Sequence, residues 1–232
     1  MSIKIILTSM VLYYTVISSS EGKIHLFHEK MSKREQNKEQ KKEAIVNAAR
    51  EIFLDDGFLK ANMDKIAKRA KVTKQTVYRY FESKEVLFEA SILKQRQESK
   101  HPYLDELKNE DTELALKGFA VGFINAHLSE PHLAMIRLLV AEGAKAPEIT
   151  RAFHAVGPKE TKERVREFLE ERFHPEDIDH VMDVLFGTLL SMRMGVLVGL
   201  HDKPSEDEIA DFVEKTVNLL LKILQQPEAT AP

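Results

Sequence analysis

Ile45, Ala48, Ala49, Ile52 and Phe53 recur at the three-to-four spacing of one buried helical face, with Ala44 at the start of the run. The pattern predicts a helix from Lys38 that stops at Asp56-Gly57, where glycine serves as terminator. Asn62 suits the cap of a second helix with Met63, Ile66, Ala67 and Ala70 inward. The pattern breaks at Val72-Thr73, and Thr73 can cap a third helix holding Val77 and Phe81 inward. Ser83 can cap a fourth over 84–98, with Glu85 in its first turn and Val86, Leu87 and Leu93 apolar. Two short helices, 62–71 and 73–80, joined by a tight turn form a helix-turn-helix.

Beyond His101-Pro102 the period stays helical, in segments 111–128, 132–144, 147–172, 176–200 and 205–225, the third interrupted by Gly157-Pro158. Sustained alternation is absent, and Asp56-Gly57 is flanked by helical pattern. The expected fold is all-α: an N-terminal three-helix helix-turn-helix domain plus a larger helical domain. The expected organisation is a leader over 1–37, the helix-turn-helix domain over 38–84, the larger domain over 85–226 and a frayed tail over 227–232. Ile5 to Ile17 is apolar but interrupted by Thr8, Ser9 and Thr15, and is too short for a bilayer span. Lys4 before it and Ser18 to Ser20 after it resemble a weak signal-peptide core; an upstream start, with the working protein beginning at Met31, is the favoured explanation.

Charge sharpens this picture. Residues 31–100 carry 17 Lys/Arg against 11 Asp/Glu, whereas 101–232 carry 14 against 24. A basic first part on an acidic second part suggests two jobs, the first facing a polyanion. Within 60–84 alone, eight cations face two acids, Asp64 and Glu82. The absence of Cys removes disulfides, thiolate metal sites and a cysteine nucleophile, and fits a cytoplasmic protein.

In a helix-turn-helix the second helix enters the major groove with its N-terminal residues at base edges. Those residues are Thr73, Lys74, Gln75 and Thr76, with Tyr78 one turn along. Lys suits guanine acceptors, Gln pairs bidentately with adenine, and Thr offers a hydroxyl or a methyl. Asn62, Tyr80 and Lys84, at helix starts or flanks, suit phosphate oxygens. Periodicity and charge alone leave a merely solvated cationic face equally open. The stretch Gly57-Phe58, Asn62-Met63-Asp64, Ile66-Ala67, Ala70 through Thr76, Tyr78, Tyr80-Phe81, Ser83-Lys84 and Leu87 resembles the N-terminal domain of TetR-type transcriptional regulators, over about residues 40–95. The resemblance implies base contacts from Lys74, Gln75 and Tyr78, and phosphate contacts from Thr76, Tyr80 and Lys84. Two positions depart from the family pattern. Ala61 replaces a usual hydroxyl residue, and Lys71 replaces the usual turn glycine, costing about 1 kcal/mol if its backbone is left-handed.

The resemblance also implies a helical C-terminal half that dimerises and encloses a small-molecule pocket. The segments 181–200 and 209–224 carry apolar residues enough to pair with symmetry mates in a four-helix bundle. Residues 132–158 resemble the AefR-like branch, which implies a repressor released by a lipophilic compound. Candidate pocket residues are Phe119, Phe123, Met135, Leu139, Phe153, Phe186 and Met192, although a stripe at helical spacing can equally be plain core. Arg137, His154 and Arg193 are available as polar anchors, or as surface or interhelical ion pairs.

No metal or cofactor is expected: of nine histidines, none forms the i, i+4 pair with a nearby acid that a helix-borne zinc site wants. No nucleophile elbow or phosphate-cradling loop is present, so an enzyme is not expected. The sequence thus predicts a homodimeric, ligand-responsive repressor on a palindromic double-stranded operator, without a membrane partner. A regulator controlled by a protein partner and a non-specific DNA-organising protein are the alternatives.

Overall fold

The computed structural model describes residues 33–99, 102–156 and 159–225, so the leader before Lys33 and the tail over 227–232 lie outside the described residues. Contacts divide the chain into residues 1–38 and 39–232. Of the first unit, residues 33–38 form the exposed opening turns of a helix. Among the described residues every regular element is helical: α1 (Lys33–Asp56), α2 (Met63–Arg69), α3 (Lys74–Tyr80), α4 (Lys84–Ser99), α5 (Thr112–His127), α6 (Glu130–Glu142), α7 (Pro147–Val156), α8 (Lys159–Phe173), α9 (Ile178–Leu197) and α10 (Glu206–Leu224). Two short 3-10 turns, Pro102–Leu104 and Glu106–Lys108, precede α5. The all-α expectation holds, and the expected break in 147–172 lies between the end of α7 and the start of α8.

Local chemistry sets the ends. Asp111 accepts from the N–H groups of Glu113 and Leu114 to start α5, and Ser205 with Glu208 closes a reciprocal capping box on α10. α1 ends at Gly57, whose φ of 85° is the left-handed conformation glycine takes without Cβ strain. A Cβ there would also meet the Glu142 carboxylate at 2.2 Å and displace that side chain. That carboxylate accepts from the Leu59 N–H at 2.9 Å, joining the end of α6 to the loop before α2.

Unit 39–232 holds two apolar cores. One gathers Tyr103, Leu104 and Leu107 with the inner faces of α5, α8, α9 and α10. The other joins α1 to α4 with Met135 and Leu138 of α6, Ala146 just before α7, and Ile149 and Val156 of α7. The helix-turn-helix thus shares its core with α6 and α7. Its centre is a trio of rings, Phe53, Phe58 and Phe88, with centroids 5.2–5.6 Å apart. Ala44, at the start of the first apolar run, is exposed, as are Val86 and Leu93 among the apolar positions of the fourth helix. The inward stripe of α4 runs through Leu87, Phe88, Ser91 and Ile92, and that rotation turns Val86 and Leu93 outward.

Candidate nucleic-acid interface

Met63, Ile66 and Ala67 bury the inner face of α2, and Val77 is fully buried beneath α3. This leaves Thr73, Lys74, Gln75 and Tyr78 exposed, with Thr76 half-buried beside them. Asn62 caps α2 by accepting from the Lys65 N–H at 2.9 Å. Thr73 caps α3 by accepting from the Thr76 N–H at 3.2 Å, and the two hydroxyls lie 2.9 Å apart. Tyr80 is half-buried at the end of α3, with the Arg79 guanidinium 5.5 Å from its ring centre.

The turn between α2 and α3 is a Schellman arrangement. The Val72 N–H donates to the Ala67 carbonyl at 3.0 Å and the Lys71 N–H to the Lys68 carbonyl at 3.2 Å. Lys71 occupies the left-handed position, with φ 56°. Lys71→Gly is therefore expected to raise stability by roughly 0.5–1 kcal/mol, since relief of about 1–2 kcal/mol of strain is partly offset by the entropy of a more flexible unfolded chain. A urea midpoint that rises at constant slope is the expected result; an unchanged midpoint would show that no strain is stored at Lys71.

Several of the cations counted in the sequence are engaged. Lys65 pairs with Asp56 at 2.6 Å and Arg69 with Glu51 at 2.6 Å, so acids of α1 neutralise one side of α2. Lys74 donates to Asp64 at 2.8 Å, and this bond is the first cause holding its ammonium pKa above the ordinary lysine value. Both partners are more than half exposed, so the pair orients Lys74 more than it stabilises the fold. Lys84 donates to the carbonyls of Phe58 at 2.8 Å and Ala61 at 3.3 Å, its Nζ 4.2 Å from the centre of the Phe58 ring. The ammonium thus fixes the loop from which α2 starts. Lys60, Lys68, Lys71 and Arg79 have exposed side chains and no acid partner among the described residues.

The seven apolar pocket candidates fall into two groups. Phe119, Phe123 and Phe186 are buried in the α5–α8–α9–α10 core, with Met192 packed on it. Met135 is buried in the other core, with Leu139 and Phe153 packed against it. None of them lines the open cleft of about 610 Å³ bounded by Leu93, Arg96, Gln97, Leu104, Asp105, Lys108, Glu160 and Arg164. Within that cleft Arg96 donates to the Val156 carbonyl and, at 2.8 Å, to Glu160, tying α4 to the end of α7 and the start of α8. Of the polar anchors, Arg137 is exposed and paired with Glu130 at 2.9 Å, and His154 is exposed; only Arg193 turns inward.

Residues 45–91 match the family model of bacterial regulatory proteins of the tetR family, and residues 114–174 that of the AefR-like transcriptional repressor C-terminal domain. The HTH-type transcriptional regulator UidR of Escherichia coli K12 is 26% identical over 162 residues, covering 68% of this chain and 80% of that protein. Among solved structures, the flavonoid-responsive regulator FrrA is 26% identical with a TM-score of 0.66, covering 82% of this chain and all 100% of that one. A TetR-family regulator from Pseudomonas syringae pv. tomato is 26% identical with a TM-score of 0.63, covering 79% and 96%. A Mesorhizobium loti regulator, 23% identical with a TM-score of 0.69 over 80% and 96% of the two chains, shares the fold. With an exposed recognition-type helix on a two-helix turn, and a segment of the head and one of the helical domain each matched by a model of the same kind, the chain is similar to TetR-type transcriptional regulators in both its parts.

Proposed function

We propose that this protein is a cytoplasmic homodimeric repressor that reads a palindromic operator and leaves it when a lipophilic small molecule binds the helical domain. Residues 38–84 would carry DNA recognition, and 85–226 ligand binding and dimerisation. The observation that carries the reading is α3 itself: Lys74, Gln75 and Tyr78 stand exposed along one face while Val77 anchors the other at 0% exposure. Lys74, Gln75 and Tyr78 take the base edges, and Asn62, Thr73, Thr76 and Tyr80 the flanking phosphates. Lys84 serves the phosphate face with its remaining N–H while holding the α1–α2 loop. Lys60, Lys68, Lys71 and Arg79 add unneutralised charge to that face. Two heads related by a dyad require half-sites about one helical turn apart, hence an approximately two-fold operator. The likeness to a regulator described as flavonoid-responsive supports control by a small molecule.

Selection of genomic fragments by the purified protein at physiological salt tests the reading. An enriched palindrome is expected; retention of every fragment alike would leave a non-specific DNA-organising protein in its place. Two substitutions sort the contacts. Gln75→Ala is expected to relax discrimination at one base pair per half-site, by about 1–3 kcal/mol, with little change on random duplex. Asp64→Asn frees the Lys74 ammonium and removes a negative charge, so it is expected to tighten random duplex more than operator. If Asp64→Asn instead weakened both, Asp64 would be a contact residue and not a restraint on Lys74.

A further inference from the structure

The inner face of α9 is formed by Met182, Leu185, Phe186 and Leu189, each at most 9% exposed. Arg193 is the next position on that stripe, four residues beyond Leu189, and it is half-buried where a leucine would complete the pattern. Its Nη1 donates to Nε2 of His132 at 3.3 Å. No carboxylate pairs with it among the described residues. Burial holds its pKa below the ordinary arginine value, and no acid counters the shift. A desolvated guanidinium without an anion is costly, and such a group ordinarily has a partner.

Two more apolar stripes end in polar groups at the same place. On α5 the buried run Leu116, Phe119, Phe123 continues to His127, whose ring lies 3.9 Å from that of Phe123. A carbonyl only accepts, so His127 Nδ1, 2.8 Å from the Phe123 carbonyl, carries a proton. At the start of α6, His132 lies 4.6 Å from His127 and 6.3 Å from Phe153, centroid to centroid. Phe123 and Phe186 belong to one core, whereas Phe153 packs on the other. Arg193, His132 and His127 therefore stand at the seam between the core of α5, α8, α9 and α10 and the core shared by the helix-turn-helix with α6 and α7.

We propose that Arg193, with His132 beside it, anchors the charged group of the effector, which is an organic anion whose apolar body lies against Phe123, Phe153 and Phe186. The proposal rests on the small-molecule reading above and names the effector's chemical class. An occupant bridging Arg193 and Phe153 alters how α6 and α7 meet α5 and α9, and α6 and α7 share their core with the head. That gives the ligand a differential interaction with the two arrangements, which any shift of their populations requires.

A matched pair of fluorescent probes tests it on the full chain: 8-anilinonaphthalene-1-sulfonate, and N-phenyl-1-naphthylamine, which has the same rings without the sulfonate. Saturable binding of the sulfonate is expected, at least about tenfold tighter than the neutral probe. Arg193→Met is expected to abolish that preference while leaving the neutral probe within about twofold. The same variant should melt no lower than the parent, since an apolar side chain of similar length suits the site without a ligand. Arg193→Lys should restore part of the preference. Equal affinity of the parent for both probes would overturn the anion proposal and leave a neutral effector standing. An unchanged preference in Arg193→Met, or a lowered melting temperature with both probes weakened alike, would assign Arg193 a structural role and overturn it too. Saturable binding of neither probe would overturn the proposal together with the small-molecule reading.

Discussion

Leu219→Glu combined with Ile223→Glu is expected to yield a helical monomer with at least roughly a hundredfold weaker operator affinity. On α10 the buried side is Ile209, Val213, Val217, Leu220 and Leu221, which leaves Leu219 and Ile223 at 61% and 53% exposure on another face. With half-buried Phe212 and Thr216 they make an i, i+4, i+7, i+11 stripe whose Leu219 and Ile223 stay uncovered by the described residues. α9 repeats the arrangement: Val184, Gly187, Ser191, Met194 and Val198 align on an exposed face, apolar at its ends and small in the middle. A Cβ at Gly187 would meet nothing within 4 Å, so the backbone there is open to close approach. A second copy of the chain is the occupant that matches both stripes, because a two-fold axis sets each against its equivalent. Each substitution then enters the interface twice, and two pairs of like charges replace apolar contacts across the axis. A monomer binds with one head only and loses the effective concentration, of order millimolar, at which the second half-site is met. Sedimentation and operator titration check this. A variant that remains dimeric, or binds operator within about threefold of the parent, would place the interface elsewhere.

Much of the fold could be read in the sequence because helix periodicity is local. The caps Asn62 and Thr73 and the stop at Gly57 depend on neighbours within a few residues, and the structure places them at those ends. The left-handed Lys71 comes from the family resemblance, in which glycine is usual in that turn, and the structure gives it φ 56°. What could not be read depends on partners far along the chain. A charge count over 60–84 sees eight cations, but Glu51 and Asp56 of α1 lie outside it and pair with Arg69 and Lys65. Lys84 reads as a phosphate ligand until the fold brings two carbonyls, from 23 and 26 residues earlier, to its ammonium. The pocket candidates share one helical signature, yet Met135 and Phe186 belong to different cores, a distinction set by helix placement. The sequence offers Arg193 beside Arg137 and His154 as a polar anchor, but that it turns inward without an acid partner among the described residues exists only in three dimensions.

That long-range packing makes Phe88→Ala the substitution with the largest expected cost in stability. Phe88, Phe53 and Phe58 are at most 1% exposed, and Phe88 meets both other rings edge-on, at 5.2 and 5.3 Å with interplanar angles of 75° and 72°. Truncating a buried phenylalanine costs about 3–5 kcal/mol through lost transfer energy and the cavity left behind. The two edge contacts, worth about 0.5–1.5 kcal/mol each, push the figure toward the upper end. Against a total stability of about 5–15 kcal/mol, the variant is expected to melt roughly 8–16 °C lower. Val86→Ala, two residues away and 37% exposed, is expected to stay within about 0.5 kcal/mol of the parent, which separates a core effect from a helix-propensity effect. DNA binding should fall with stability. Phe58 carries the Lys84 ammonium above its ring and supplies one of the carbonyls that receive it, so loosening the trio loosens the loop that starts α2. Met135, Leu138 and Ile149 share this core, so the damage should also reach α6 and α7 and blunt the response to effector in whatever fraction remains folded. A loss below about 1.5 kcal/mol would mean that the three rings are not the mechanical centre joining the head to α6 and α7.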